Sequence, residues 1–110
     1  SAGVTRTFEV HSVREPEIQL ELTGPEKWVT GKPARFRVHF RAAWPPQVEK
    51  VFVRLYPARE FDVQWARPGT YRVRAAVYLR MAYHFADDVV TVYNTYVTER
   101  LVEVLATTVH

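Results

Sequence analysis

The chain contains no cysteine and almost no serine, and these absences exclude several kinds of site. Without thiols there is neither a disulfide framework nor a thiolate metal site, and the redox compartment stays open. Ser1 and Ser12 are the only serines, and neither stands in the turn context of a serine nucleophile. We therefore expect no enzyme activity, no catalytic residues and no cofactor.

Long hydrophobic runs and runs of helical period are also missing. No stretch approaches the roughly eighteen apolar residues of a membrane span, so we expect none in this chain. Valine occurs eighteen times and aromatic residues make up 14% of the chain, a composition that favours strands. A length of 110 residues corresponds to one domain.

Basic residues slightly outnumber acidic residues, which gives a net charge of +3 and a pI of about 9.4. Twelve arginines and three lysines supply the positive charge, and they are spread along the chain. A surplus of this size permits an acidic partner without requiring one. The arginine bias, with one Asn and one Met, is typical of a thermophile or of a GC-rich genome.

Residues 71–85 alternate between two kinds of side chain without a fault. The apolar positions are Tyr71, Val73, Ala75, Val77, Leu79, Met81, Tyr83 and Phe85. Strand side chains point to opposite faces with period two, so this is a long strand with one buried and one solvated face. At roughly 3.3 Å per residue it spans about 50 Å.

Shorter alternating runs are separated by Pro, Gly or Asp. They predict strands within residues 18–22, 36–40, 51–55, 61–65 and 89–107. The fold class expected is all-β, a two-layer antiparallel immunoglobulin-like β-sandwich with an elongated C-terminal hairpin. We expect residues 1–14 to form an N-terminal strand or extension and residues 15–110 to form the sandwich domain.

The last two strands form the hairpin. With a turn around Asp87-Asp88 and Tyr83 opposite Asn94 or a neighbour, Arg74 lies across from Glu103 and Tyr78 from Glu99, and a slip of this register by two stays open. Opposite charges across a ladder stabilise it by about 0.2–1 kcal/mol per pair. This register predicts that the basic face of the hairpin is neutralised.

Two basic stripes are the features most suggestive of binding. One contains Arg35, Arg37 and Arg41, and the other contains Arg72, Arg74 and Arg80. With Phe52, Tyr56 and Tyr78 interleaved, they suit stacking on a single-stranded nucleic acid. However, Glu17 and Glu21 are natural partners of the first stripe, and Glu99 and Glu103 of the second. We expect ion pairs rather than nucleic-acid binding, with an acidic partner as the alternative.

Metal ligation is not indicated. The four histidines, at positions 11, 39, 84 and 110, lack metal-ligand spacing. Asp87 and Asp88 suit a turn, and calcium needs more oxygen ligands than these two supply. We therefore expect no metal site.

The three tryptophans divide into two groups. Trp65 continues the alternation of apolar residues that begins with Phe61 and Val63, so it is expected in the core. Trp28 and Trp44 fall in predicted loops. They either anchor those loops or form a candidate ligand platform for carbohydrate.

Residues 17–104 carry a pattern that resembles a known group of modules. The segments concerned are Ile18-x-Leu20-x-Leu22, TGKPARFRVHF, VEKVFVRLY and WARPGTYRVRAAV. They resemble prokaryotic extracellular immunoglobulin-like modules of the PKD and CARDB kind. The resemblance implies a secreted or cell-surface module without catalytic activity. It also places Tyr71 at the position where such folds have a corner tyrosine.

The function expected is that of a non-enzymatic structural or protein-binding module, located extracellularly or at the cell surface. Its partner is another protein, or a second copy joined through strand edges. The expected interaction surface is the end of the hairpin, where exposed aromatic side chains mark a contact site. Its residues are Met81, Tyr83, Phe85, Tyr93 and Tyr96.

Two alternatives stay open. Residues 4–13 alternate weakly and end before Pro16. They either form an edge strand of their own sandwich or complete a neighbour's sheet in a surface filament. The second alternative is a carbohydrate-binding accessory domain that uses Trp28 and Trp44.

Overall fold

The computed structural model describes residues 13–107, and all regular elements in this range are strands. Most of the strands begin and end close to a proline, glycine or charged residue that interrupts the alternation. The strands are β1 (Glu17–Thr23), β2 (Lys27–Val29), β3 (Ala34–Ala43), β4 (Val48–Tyr56), β5 (Glu60–Val63), β6 (Gly69–Phe85) and β7 (Asp88–Leu105). No helix in this part of the chain is long and apolar enough to cross a membrane.

The strands form two sheets that pack against each other. One sheet has the order β1-β3-β5, and the other has the order β2-β7-β6-β4. All neighbours are antiparallel except β2, which runs parallel to β7. The prediction of an all-β, two-layer fold is confirmed.

Strand β6 forms the centre of the larger sheet and explains the long alternation. Its odd-numbered side chains face the other sheet, and Val77, Met81 and Tyr83 are at most 1% exposed. With 17 and 18 residues, β6 and β7 are three times the usual strand length. The radius of gyration is accordingly 21.0 Å, against about 13 Å for a compact domain of this size.

The hairpin register differs from the sequence prediction. The turn residues are Ala86 and Asp87, because Phe85 pairs with Asp88. Arg74 consequently lies opposite Glu99, and Tyr78 opposite Thr95. The predicted register was wrong by four residues, because acids four positions apart on β7 offer Arg74 two equivalent partners.

The core consists of two clusters along the length of the sandwich. In the first, the buried Phe36 ring stacks on Phe61 at 5.7 Å and meets Trp65 edge-on at 6.3 Å. In the second, Met81 and Tyr83 pack with side chains of β1, β3 and β4. Trp65 is 8% exposed, so its predicted place in the core is confirmed.

The N-terminal side of the described chain closes the second cluster. Val13 packs there, and the Tyr83 hydroxyl donates a hydrogen bond of 2.6 Å to the Arg14 carbonyl. Burial raises the pKa of the Tyr83 phenol above its ordinary value. The predicted strand over residues 4–13, together with His11 and His110, lies outside the described residues or at their limit.

Two local features depart from the sequence prediction. Trp28 belongs to β2 rather than to a loop. Val53 points to the inner side of β4 beside Leu79 but is 45% exposed. The reason is that β5 ends at Val63 and pairs with β3 only along Ala34–Arg37, so the other sheet does not cover this part of β4.

Tyr71 forms a corner at the start of β6, as the sequence resemblance implied. Its hydroxyl donates a 2.6 Å hydrogen bond to the Arg67 carbonyl, and its ring stacks on Trp65 at 5.5 Å. Both contacts fix the turn that leads from the smaller sheet into β6. The backbone of this turn is therefore held by a side chain four residues away.

Replacing Tyr71 with phenylalanine is expected to lower the free energy of unfolding by about 1 kcal/mol, because one hydrogen bond is lost while the stacking remains. Urea denaturation measures the change. Tyr78→Phe is the matched control, since its hydroxyl has no hydrogen-bond partner among residues 13–107. Equal losses in the two variants would contradict a stabilising corner.

Candidate interaction surface

The outer face of the four-stranded sheet is formed by the even positions of β4 and β6 and the odd positions of β7. Cross-strand pairing arranges these side chains in rows. Three successive rows are Phe52–Arg80–Tyr93, Arg54–Tyr78–Thr95 and Tyr56–Ala76–Val97. We call these nine residues, together with Lys50, the outer face.

Large apolar and aromatic side chains are exposed on the outer face. Tyr93 is 71% exposed and Phe52 is 58% exposed, and Tyr56, Tyr78 and Val97 are also exposed. Scattered exposed hydrophobic residues are normal in proteins, but a contiguous group on one flat face marks a contact surface. The sheet holds this group rigidly because its rows are fixed by the ladders on both sides of β6.

Cations accompany the aromatic rings of the outer face. The Arg80 guanidinium carbon lies 4.1 Å from the centroid of the Phe52 ring, in cation–π geometry. Lys50, Arg54 and Arg80 form no ion pair with any residue in the described range. The outer face therefore carries positive charge that the described chain does not neutralise.

Four of the six arginines of the two stripes form ion pairs, whereas Arg41, like Arg80, forms none within the described residues. Arg74 lies 2.9 Å from Glu99, which also lies 3.7 Å from Arg72. On the smaller sheet the acidic partners of the arginines lie on β5 rather than on β1. Arg35 lies 2.6 Å from Asp62, and Arg37 lies 2.5 Å from Glu60.

The expected pairing with Glu17 and Glu21 is wrong, because β3 places its first arginines beside β5. The hydrogen bond from Arg35 lowers the pKa of the Asp62 carboxyl below its ordinary value.

The interaction surface predicted at the end of the hairpin is not assembled as expected. Met81 and Tyr83 are buried in the second core cluster, so the prediction that they are exposed is wrong. Phe85 and Tyr96 are half-buried and pack against the same cluster. The reason is that β4 pairs with β6 as far as Tyr83, so the end of the hairpin does not extend beyond the sandwich without a neighbouring strand. Tyr93 is exposed, but on the outer face.

The outer face was only partly visible in the sequence. The interleaving of Phe52, Tyr56 and Tyr78 with arginines was apparent, but which of them lie side by side depends on the strand register. Arg80 was grouped with Arg72 and Arg74, although the acids of β7, Asp88 and Glu99, lie five or more residues from its partner Tyr93. The absence of charge between positions 89 and 98 is the signal that distinguishes Arg80 from the paired arginines.

The two tryptophans of the candidate carbohydrate platform lie near opposite ends of the sandwich. Trp28 pairs with Val104, beside the first residues of β6, and its indole N–H donates a 3.0 Å hydrogen bond to the Lys32 carbonyl. Trp44 follows the far end of β3 and packs against Phe40 at 6.4 Å. Since they are at different ends, they form no common platform, and their contacts anchor local structure.

The described histidines make polar contacts with single neighbours. His39 lies 3.0 Å from the Thr23 hydroxyl, and His84 lies 3.4 Å from Glu49. Within residues 13–107, no group of three or more His, Asp or Glu side chains is placed to hold a metal ion. Asp88 begins β7 directly after the turn instead of lying in it, and its carboxylate accepts a 2.8 Å hydrogen bond from the Val89 amide.

A cleft opens between β3 and β4, where β5 has ended. It has a volume of about 680 Å³. Val38, Phe40, Val53 and Leu55 form its apolar wall, and Arg41 and Arg59 lie at its rim. The sequence did not predict this cleft, because it depends on how far β5 extends along β3.

Comparison of the chain with models of protein families, with curated proteins and with solved structures found no match. The function is therefore argued from the outer face itself.

Proposed function

We propose that this chain is a non-enzymatic protein-binding module and that its outer face binds an acidic segment of a partner protein. The row Phe52–Arg80–Tyr93 carries the proposal. It combines two exposed aromatic rings with a guanidinium that has no acidic partner in the described chain. Aromatic residues and arginine are the side chains most enriched at the centres of protein interfaces.

The charge of the outer face favours an acidic partner. Lys50, Arg54 and Arg80 lie on three neighbouring rows that contain no carboxylate. Glu49, beside His84, bounds these rows at one end, and Glu99, beside Arg74, bounds them at the other. A carboxylate of the partner gains a charge-assisted hydrogen bond there, and the aromatic rings beside it exclude water. Steering by this field raises the association rate at low salt.

A protein segment suits this surface better than a single-stranded nucleic acid. Nucleic-acid binding uses a continuous basic groove that follows many phosphates. Here the positive charge is confined to three side chains, because Glu99 holds Arg72 and Arg74 farther along the same face. The remaining members of the outer face, such as Thr95 and Val97, are neutral.

We further propose that the sandwich is immunoglobulin-like and belongs to a secreted or cell-surface protein. The strand order supports this, since β1-β3-β5 and β7-β6-β4 correspond to strands A-B-E and G-F-C of that fold. The corner hydrogen bond of Tyr71 is a second supporting feature. Sequence adjoining these residues in the parent reading frame tests the location: a secretion signal, repeated modules or a membrane anchor supports it, and adjoining cytosolic enzyme domains contradict it.

Binding of short acidic peptides, measured by fluorescence anisotropy, tests the outer face. Arg80→Ala and Tyr93→Ala are each expected to weaken binding about tenfold, because both residues lie in the central row. Arg41→Ala is the matched control: it removes the same charge from the smaller sheet, and its affinity is expected to stay within about twofold of the unmodified chain.

Three results would contradict the proposal. The first is absence of peptide binding at any salt concentration. The second is an equal loss for Arg41→Ala and Arg80→Ala, which indicates attraction by net charge alone. The third is tighter, Arg80-dependent binding of an oligothymidylate, which assigns the outer face to single-stranded nucleic acid.

A further inference from the structure

Strand β7 has an edge without a strand partner along most of its length. On the side away from β6 it pairs only with β2, from Glu103 to Leu105. Between Val89 and Val102, no strand of residues 13–107 is hydrogen-bonded to that side, although β1 of the other sheet lies close to β7. The open edge is therefore about as long as two ordinary strands.

The hydrogen bonds between β7 and β2 show which backbone groups of β7 point to this edge. The Glu103 amide donates to the Glu26 carbonyl at 2.9 Å, and the Leu105 carbonyl accepts from the Thr30 amide at 2.9 Å. Because successive residues of a strand direct these groups to opposite sides, the earlier odd positions also present them to the open edge. These positions are Thr91, Tyr93, Thr95, Val97, Glu99 and Leu101, and Val89 as well, although the Val89 amide already donates to the Asp88 carboxylate.

The first ten residues of this edge lack the sequence features that prevent strands from pairing. The ten residues from 89 to 98 contain no charge, no proline and no glycine, and their pairing with β6 runs without a bulge. Such a segment, rich in Val, Thr and Tyr, is a template for another strand.

The other edges of the sandwich are protected. Strand β4 has an irregularity between Val48 and Lys50, a second cation at Arg54, and Pro57 immediately after its end. The edge strand β1 follows Pro16 and carries Glu17 and Glu21, and β5 has only four residues. Protection of this kind is the usual arrangement at free edges, so β7 is the exception.

We infer that β7 pairs antiparallel with β7 of a second copy of this chain, joining two four-stranded sheets into one of eight strands. A two-fold axis near Asn94 brings the uncharged segments against each other, and Glu99 then faces Val89 rather than another acid. Odd positions meet odd positions, so the exposed side chains of Tyr93 and Val97 stay on one continuous face. This pairing does not depend on the acidic partner proposed above.

Sedimentation velocity of the full chain over a range of concentrations tests the inference. The unmodified chain is expected to dimerise. The double variant Thr91→Lys with Thr95→Lys is expected to raise the dimer dissociation constant at least about tenfold, because lysines from the two copies crowd the axis. The control is Tyr56→Lys with Tyr78→Lys, which adds the same charge to the outer face away from the edge and leaves the dimer intact.

Circular dichroism establishes that each variant is folded. If the lysine pair unfolds the chain, Thr95→Pro replaces it, since that proline removes a donor on the open side only, and it is expected to abolish the dimer. A chain that stays monomeric at every concentration overturns the inference. If the amides at odd β7 positions of that monomer are protected from hydrogen exchange, another part of the same chain covers the edge. An oligomer that survives both edge variants also overturns it.

Discussion

Replacing Phe36 with alanine lowers the free energy of unfolding by about 3–5 kcal/mol, the range for a buried phenylalanine. Its side chain is fully buried between the sheets, in contact with the rings of Phe61 and Trp65. Removing the ring leaves a cavity that these rings cannot fill, because the ladders of β3 hold the backbone in place. A domain of this size has only about 5–15 kcal/mol of stability, so this is the largest effect we expect.

Urea denaturation of the full chain measures this loss. Phe52→Ala is the matched control, since it removes the same side chain from the exposed outer face. It is expected to cost about 1 kcal/mol or less, chiefly from the lost stacking of Arg80. Similar losses for Phe36→Ala and Phe52→Ala would contradict the assignment of the first cluster as the core.

Replacing Gly24 with alanine is expected to cost about 1–3 kcal/mol, the usual cost of overpacking a core. A Cβ atom at this position would lie 2.3 Å from Cδ1 and 2.6 Å from Cε1 of Phe36. The ring cannot withdraw, because Phe61 and Trp65 hold it on two sides. The chain therefore needs glycine here to let the turn after β1 approach the core.

A second-site substitution tests this explanation. In a Phe36→Leu background the cost of Gly24→Ala is expected to fall below about half, because contacting residues are not additive. Gly31→Ala is the control: its φ is +80° and no atom lies within 4 Å of the added carbon. Its cost, about 1 kcal/mol from backbone strain, is expected to be the same in both backgrounds. An unchanged cost of Gly24→Ala would contradict the contact with Phe36.

The sequence predicted side-chain faces well, because face depends only on period two. The odd positions of β6 and the even apolar positions of β3 lie in the core, as the alternation indicated. Tyr71 was placed correctly at the start of the penultimate strand by its Pro-Gly-Thr-Tyr context. The existence of two sheets followed from the number and spacing of such runs.

Strand register and strand pairing were harder to predict from the sequence, because they depend on contacts between residues that are distant along the chain. The acids Glu99 and Glu103 are four residues apart, so charge complementarity did not distinguish two hairpin registers. Strand β2 has three residues, too few for any periodicity. The rows of the outer face were hidden for the same reason, since Phe52, Arg80 and Tyr93 become neighbours only once both ladders are in register.

Chemical-shift mapping of backbone amides is the most direct test of the outer face as the binding surface. The measurement is a titration of the isotope-labelled chain with the tightest acidic peptide. The largest shifts are expected in β4, β6 and β7 around Phe52, Arg80 and Tyr93, with little change in β1 and β3. Shifts concentrated instead around the cleft of Val38, Leu55 and Arg59 would contradict the account.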